Sequence, residues 1–162
     1  GPMSGADLSD ARESGAPSLL TAFVRKHVYV AAPYAFREDA AALAHALLVA
    51  GVWVTSRWHD APSEREASLP RERLAAISTE NGADLMISDA IIVFDRPGGR
   101  STYAEAGITG ARGKPILWLT AKGEHPPCML GMLQQRIDDG GIAEIVERLR
   151  STAAAFAEGS PR

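Results

Sequence analysis

The chain has 162 residues, 46% of them hydrophobic, which is enough for one domain with a buried core. Its 17 basic and 20 acidic residues give a net charge of -3, so it lacks the basic surplus typical of proteins that bind nucleic-acid polymers. No apolar run approaches the roughly 20 residues that cross a bilayer, and residues 1–26 do not resemble a secretory signal. The single cysteine, Cys128, cannot form an intramolecular disulfide, and we therefore expect a cytoplasmic protein without a membrane partner.

The two ends of the chain differ in composition from the middle. Gly1-Pro2-Met3 looks like a protease-cleavage scar, and residues 4–18 are rich in Gly, Ser, Ala and Asp without a sustained period. We expect residues 1–26 to be this scar and a disordered tail. Residues 27–157 are predicted to form one domain, and residues 158–162 a mobile C-terminal tail.

The first elements of the predicted domain are a strand, a helix and a second strand. Residues 28–32 are β-prone and are ended by a proline. Residues 38–50 have helical periodicity, acids in the first turn and Gly51 as a stop signal. Residues 52–55 are again β-prone, and a polar loop follows over residues 57–70.

The second half of the domain continues this alternation. The remaining predicted elements are a helix over 70–87, a strand over 90–94, a helix ending near Arg112, strands over 116–119 and 132–137, and a helix over 142–156. Strand 90–94 has no polar alternation, which indicates burial on both faces. The pattern predicts an α/β fold, with an open, mainly parallel five-stranded sheet and helices on both faces. Ligands of such sheets bind beyond the carboxyl ends of the strands, which favours loops 32–37, 56–69 and 95–104.

The loop at 95–104 is the most informative of the three. Gly98 and Gly99 allow close approach of the backbone to a ligand, and Ser101 or Thr102 can cap the next helix. Amides at that helix start suit an anion such as a phosphate. Glu105, within the first turns, is either an acid placed near the positive end of the helix or a reactive carboxylate.

Several other residues allow two interpretations from the sequence. Tyr29, at the end of the first strand, is either a half-buried sheet tyrosine or a phenol that orients a carboxylate. Trp58, in a polar loop, either packs there or stacks on a base. Asn81 and Asp84 lie near the end of the second helix, and Asp89 is most simply a turn or cap residue.

Known cofactor and metal motifs do not occur in the sequence. The four histidines are scattered, and there is no HExxH or CxxC pattern for a metal. There is also no GxGxxG fingerprint and no Walker A loop. We therefore expect neither a metal nor a cofactor.

Two segments resemble the nucleoside 2-deoxyribosyltransferase family, Rossmann-like enzymes whose relatives hydrolyse nucleotide N-glycosidic bonds. VYVAAPY at 28–34 resembles the family's first strand, and GRSTYAEAG at 99–107 followed by GKP at 113–115 resembles its signature. The segment at 51–58 is most similar to small phage-type members. The resemblance implies cleavage or exchange of the N-glycosidic bond of a (deoxy)nucleoside or its 5′-monophosphate. No cofactor is implied, and the implied assembly is a homodimer or larger homo-oligomer.

The resemblance also implies roles for particular residues. Glu105 would be the nucleophile that forms a covalent glycosyl-enzyme, Tyr29 would orient it, and Asp84 or Asp89 would assist protonation of the leaving base. The implied substrate-binding residues are Ala32, Pro33, Tyr34, Trp58, Asn81, Gly98, Gly99, Arg100, Ser101 and Thr102.

Two features keep alternatives open. Gly99 and Asn81 stand where the best-known transferases have aspartates, which leaves room for a nucleotide-sensing module that binds without reacting. PGGRSTYAE at 97–105 also resembles the PGGxGTxxE loop of phosphoribohydrolases that release cytokinin bases, with Ser101 in place of a glycine.

Overall fold

The computed structural model describes residues 26–60, 68–120, 134–138 and 147. Its strands are β1 (His27–Ala31), β2 (Trp53–Val54), β3 (Ala90–Asp95), β4 (Ile116–Thr120) and β5 (Gln134–Asp138). They form one sheet in the order β2-β1-β3-β4-β5, and every neighbouring pair is parallel. The predicted α/β class with a parallel five-stranded sheet is therefore confirmed.

Three helices connect these strands. They are α1 (Arg37–Val49), α2 (Arg71–Met86) and α3 (Arg100–Ala111), and short 3-10 turns cover Tyr34–Phe36 and Trp58–Asp60. Each helix begins and ends within two residues of the bounds predicted from the sequence. For α3 the sequence predicts only the end. The predicted tails at 1–26 and 158–162 lie outside the described residues, apart from Lys26. So does the predicted final helix at 142–156, of which only Glu147 is described, in helical conformation.

Alternation along the strands divides the core into two layers. Val28 and Val30 of β1 face α1, together with the even-numbered residues of β3 and the odd-numbered Leu117 and Leu119 of β4. Tyr29 and Ala31 face the other side, where Leu85 of α2 and Ala106 of α3 pack against the sheet. Because β3 and β4 are covered on both faces, their near-continuous apolar sequences are explained.

Glycine ends α1 in the predicted way. Gly51 has a φ of 88°, and its N–H donates to the Leu48 carbonyl while the Val52 N–H donates to the Leu47 carbonyl. This pair of hydrogen bonds is the Schellman motif, which satisfies carbonyls that the helix leaves open and turns the chain into β2.

The strand order creates a crevice at the carboxyl end of the sheet. The chain passes from β1 to β2 on one side and from β3 to β4 on the other, so the loops after β1 and β3 diverge. Among the described helices, none combines the length and hydropathy that a membrane span requires.

Candidate active site

Tyr29 and Glu105 meet on the face of the sheet that α2 and α3 cover. Tyr29 projects from the middle of β1 and is 1% exposed, while Glu105 lies in the second turn of α3 and is partly buried. Burial is the main cause that raises the pKa of Glu105 to about 7, and the neighbouring Tyr29 hydroxyl partly offsets it. Burial also raises the pKa of Tyr29, and the charges of Glu105 and Asp84 raise it further. The phenol therefore stays protonated while the carboxyl titrates near neutrality.

The contact between these two groups is looser than a full hydrogen bond. Within the described part of the chain, Tyr29 Oη and Glu105 Oε2 are buried atoms without a hydrogen-bond partner of normal geometry. The phenol is nevertheless close enough to favour the ionised carboxyl. Buried polar atoms are almost always satisfied in folded proteins, so these two unsatisfied atoms mark the site as chemically unusual.

Asp84 is the second acid whose charge acts on Tyr29, and Arg57 binds it. Asp84 is 3% exposed although it lies on a largely exposed helix. Arg57 Nε donates to Asp84 Oδ1 and Oδ2 at 3.1 and 3.0 Å, and Arg57 Nη2 donates to Oδ1 at 2.8 Å. The carboxylate beside Arg57 raises the pKa of the guanidinium, which therefore remains charged. Such a forked pair fixes the plane of the carboxylate as well as its charge.

The turn that carries Arg57 is fastened to β1 by side chains. β2 pairs with β1 only at His27 and Val28, so the outer edge of Val30 has no strand beside it. The Val30 N–H donates to Ser56 Oγ at 3.1 Å, and Trp58 Nε1 donates to the Val30 carbonyl at 2.8 Å. Residues 56 and 58 thus point towards the sheet, and residue 57 between them points to α2.

His59 is buried in the same turn. Its Nε2 is hydrogen-bonded to Ser56 Oγ at 2.9 Å, and its Nδ1 lies 3.3 Å from Asp60 Oδ1, close but without hydrogen-bond geometry. The series Ser-His-Asp resembles the nucleophile, base and orienting acid of a catalytic triad. However, Ser56 is 3% exposed and already accepts the Val30 N–H, which makes this arrangement a structural one.

The glycine-rich loop closes over the first strand. Gly98 and Gly99 have φ values of 90° and 68°, and a Cβ on Gly99 would lie 2.8 Å from Pro33 Cα. Gly99 is the N-cap of α3, and no side chain caps this helix start. The expectation that Ser101 or Thr102 caps the helix is therefore wrong, since both residues already lie in its first turn. The first amides of α3 receive no side-chain oxygen from the cap position.

The remaining predicted substrate-binding residues differ in their exposure. Ala32 and Pro33 follow β1, and Tyr34 after them is exposed. Arg100 and Ser101 are exposed at the start of α3, whereas Thr102 is buried. Trp58 and Asn81 are partly buried, and Trp58 packs against both core layers.

Asp89 lies at the other end of the sheet from the glycine-rich loop. It precedes β3, at the amino end of the sheet, where its carboxylate accepts the His27 N–H at 2.9 Å. Two strand steps of about 3.3 Å separate that level from Tyr29, and the helix that carries Glu105 begins after the opposite, carboxyl end of β3. This contact fits the interpretation of Asp89 as a turn residue, and its role in protonating a base stays a prediction.

Arg57 and Ser56 are the residues that sequence reasoning missed. An arginine in a polar loop has no local signal, because its partner Asp84 lies 27 residues away. The sequence around Ser56 matches no known motif. Ser56 contacts Val30 because β2 ends before it, and the sequence does not indicate that early end. Among the described residues, no group of three or more His, Cys, Asp and Glu side chains is arranged to hold a metal ion.

No family model matches the chain, and no curated protein sequence matches it significantly. Solved structures do resemble it. The CMP N-glycosidase of Clostridium botulinum is 18% identical with a TM-score of 0.55, over 76% of this chain and 98% of that one. The 2-deoxyribosyltransferase of the psychrotolerant Bacillus psychrosaccharolyticus is 18% identical with a TM-score of 0.54, over 78% and 95%. A conserved protein of Enterococcus faecalis V583 is 14% identical with a TM-score of 0.51, over 78% and 98%.

These likenesses establish the fold. The chain has the fold of the nucleoside deoxyribosyltransferases, which confirms the resemblance seen in the sequence at the level of architecture. The alignments cover 95% to 98% of each of these structures and 76% to 78% of this chain.

Proposed function

We propose that this chain is an enzyme that cleaves or exchanges the N-glycosidic bond of a nucleoside or its 5′-monophosphate, with Glu105 as the nucleophile. The observation that carries the proposal is the buried Glu105 carboxyl beside the buried Tyr29 phenol. The shared fold adds support, because two of the similar structures are a CMP N-glycosidase and a 2-deoxyribosyltransferase.

The reaction follows from the chemistry of the pair. A Glu105 oxygen attacks the anomeric carbon, the bond from that carbon to the base breaks, and its electron pair leaves with the base, which takes up a proton. Water or a second base then attacks the same carbon and frees Glu105. Burial disfavours the charged carboxylate, so forming a neutral ester relieves this cost and assists the first step.

Tyr29 and Asp84 have separate roles in this scheme. The Tyr29 phenol favours the ionised, attacking form of Glu105 and keeps it directed. Asp84 is held by three hydrogen bonds from Arg57 and acts as a fixed acceptor for polar groups of the substrate. The base's proton then comes from water rather than from Asp84.

The start of α3 is the part of the site that suits a 5′-phosphate. Gly98 and Gly99 bring the backbone close to the crevice, and the helix start has no side-chain cap. Amides at a helix N-terminus attract anions, and Arg100 adds an exposed positive charge. These features favour a nucleoside monophosphate over a nucleoside.

One observation favours a second candidate, a nucleotide-sensing module that binds without reacting. Asp84 is committed to Arg57, so the described part of the chain has no free buried acid beside Glu105 to protonate a leaving base. In this case the same crevice would bind the nucleotide and release nothing.

Chromatography of free base distinguishes these candidates. Wild-type protein is incubated with a panel of nucleosides and 5′-monophosphates, with and without a second base as acceptor. We expect Glu105→Gln to abolish base release and the exposed Glu72→Gln, on α2, to retain it. Unchanged release in Glu105→Gln would contradict the proposal. Binding without release in the wild type would favour the sensing module.

A further inference from the structure

The helix that carries Glu105 packs on the sheet through small side chains. The buried residues of α3 are Thr102, Ala106, Thr109 and Gly110. The larger Ile108 is instead 47% exposed. Small residues let a helix approach a sheet closely, but large side chains that interlock with the facing surface are what fix its orientation. This packing therefore leaves the rotation of α3 about its own axis weakly defined.

Tyr103 is the one aromatic side chain of α3, and it is held on the sheet at two points. Its ring packs against the core layer of Tyr29, and it stacks on the buried Trp118 of β4 with ring centroids 6.2 Å apart. Its hydroxyl donates to Asp95 Oδ1, at the end of β3, at 2.8 Å. Tyr103 thus connects the first turns of α3 to two neighbouring strands.

The sheet is well fixed where Tyr103 contacts it. Asp95 is the partner of Thr120 in the register of β3 with β4. Arg96 Nη1 donates to the carbonyls of Asp95 and Leu119, at 3.0 Å each, and so joins the carboxyl ends of both strands. Hydrogen bonds weaken steeply with angle, so a bond to an acceptor held in this way restricts the direction of the Tyr103 side chain.

Tyr103 and Glu105 lie on opposite sides of the packing face of α3. Successive helical residues are about 100° apart, so Tyr103 lies roughly 60° to one side of the buried Ala106 and Glu105 roughly 100° to the other. Because Tyr103 is on the side of β4, Glu105 is on the side of β1, and its Oε2 atom is buried. A rotation of α3 that moved Tyr103 off Trp118 would therefore also change the burial of the Glu105 carboxyl.

We propose that Tyr103 is a positioning residue that fixes the rotation of α3 through Asp95 and Trp118, and so keeps the Glu105 carboxyl buried. The close approach of Gly99 to Pro33 fixes the start of the helix. One contact leaves a helix able to turn about its axis, so a second contact is needed. The catalytic consequence rests on the proposed function, whereas the coupling of Tyr103 to the Glu105 carboxyl does not.

Direct titration of Glu105 tests this role without substrate. Protein carrying 13C-labelled glutamate side chains is titrated by NMR, and the Glu105 signal is assigned by its loss in Glu105→Gln. Because burial raises the pKa of Glu105 to about 7, a carboxyl released towards solvent should titrate closer to the ordinary 4.5. We expect Tyr103→Phe, which keeps the ring and removes the hydrogen bond, to lower the midpoint by roughly half a pH unit to one pH unit.

Substitutions of Asp95 separate the hydrogen bond from the charge. Asp95→Leu removes both the acceptor and the negative charge, and it should lower the midpoint as Tyr103→Phe does. Asp95→Asn removes the charge but keeps an acceptor oxygen for the phenol, so its midpoint should stay close to that of the wild type. Tyr103→Phe combined with Asp95→Leu should shift the midpoint no further than Asp95→Leu alone, because both changes remove the same bond.

Ser88→Ala is the matched control for stability. It removes the 2.6 Å hydrogen bond from Ser88 Oγ to the Leu85 carbonyl at the end of α2. We expect it to destabilise the protein as Tyr103→Phe does, by about 1 kcal/mol in each case, and to leave the Glu105 midpoint unchanged.

Each outcome decides the proposal. An unchanged or higher midpoint in Tyr103→Phe overturns it, and so does an equal shift in Ser88→Ala, which would attribute the effect to a general loss of stability. A midpoint that falls as far in Asp95→Asn as in Asp95→Leu also overturns it, since the charge would then be responsible. If Asp95→Leu does not fold, Tyr103→Phe and Asp95→Asn decide: a lower midpoint in the first and a wild-type midpoint in the second support the proposal.

Turnover adds a second, separable measurement. If base is released, Tyr103→Phe should lower kcat by about tenfold and leave KM unchanged, because the attacking group is displaced while the binding groups are not. Ser88→Ala should leave both constants unchanged. If the wild type releases no base, the proposed function fails, and the NMR titration still decides the role of Tyr103.

Discussion

Gly99 and Pro33 join the two loops that leave the sheet at its crevice. A Cβ added to Gly99 would lie 2.8 Å from Pro33 Cα and 2.8 Å from Thr102 Oγ1. The loop after β3 therefore rests directly on the loop after β1, and only glycine permits this approach. The contact fixes where α3 begins, and with it the depth at which Glu105 meets Tyr29.

We expect Gly99→Ala to destabilise the protein by about 2–4 kcal/mol, since it adds a backbone collision to the strain of a positive φ. Gly113→Ala is the matched control, because Gly113 has a similar φ of 71° and open space around it. That variant is expected to lose only about 1 kcal/mol. Urea unfolding of both variants measures the difference, and equal losses would show that the Pro33 contact is unimportant.

Much of the fold could be predicted because local signals and burial agree. The apolar run of β3 indicated a central strand, and Gly51 marked a helix end that the backbone confirms by its positive φ value. The start of α3 was harder to predict. Ser101 and Thr102 are ordinary capping residues. However, the close approach to Pro33 requires glycine at position 99, two residues before Ser101, and the helix begins there.

Glu105 should make stability depend on pH in a defined direction. Its folded-state pKa of about 7 lies above the ordinary 4.5, so the wild type loses stability as the pH rises from about 4.5 to about 7. Glu105→Gln has no such loss. We expect its stability relative to the wild type to increase by on the order of 2–3 kcal/mol between pH 5 and pH 8. Urea unfolding at both pH values measures this change. The same difference at both pH values would contradict a raised pKa.

Tyr29→Phe should separate stability from chemistry. The lost hydroxyl has no hydrogen bond of normal geometry among the described residues, so we expect stability to stay within about 1 kcal/mol of the wild type. The pKa of Glu105 should rise above about 7, and the acid limb of base release should move to higher pH. Tyr103→Phe is the control, since its hydroxyl donates to Asp95 at 2.8 Å and its loss should cost about 1 kcal/mol. Thermal unfolding and a pH profile measure both effects, and a large loss of stability in Tyr29→Phe would refute this assignment.

The Trp58 indole should contribute through one hydrogen bond. Trp58→Phe removes the 2.8 Å bond to the Val30 carbonyl and leaves that carbonyl without its partner, which should cost about 1–3 kcal/mol. Trp53→Phe, at a side chain that is 62% exposed, should change stability by less than about 0.5 kcal/mol. Denaturant midpoints compare the two tryptophans, and similar losses would indicate that packing matters more than the hydrogen bond.

The candidate site could be predicted only in part. The pattern of the first strand and the signature around Glu105 identified Tyr29 and Glu105, which the fold brings together. The resemblance implies the same role for Asp84 or Asp89, yet the Asp89 carboxylate accepts the His27 N–H at the amino end of the sheet, whereas the charge of Asp84 acts on Tyr29. Arg57 was missed because its contact with Asp84 depends on β2 ending early. The sequence favours a longer strand over residues 52–55, so it does not indicate that β2 stops at Val54.

The early end of β2 also affects whether an extended segment of another chain can pair with the edge of the sheet. An unpaired strand edge offers its N–H and carbonyl groups to any extended segment, which is a common start of aggregation. Beyond Val28 that edge of β1 is occupied at Val30, where a serine hydroxyl takes the N–H and an indole takes the carbonyl. An incoming strand would find no free hydrogen-bonding group at this residue. The turn that places Arg57 over Asp84 thus also protects the sheet against unwanted pairing.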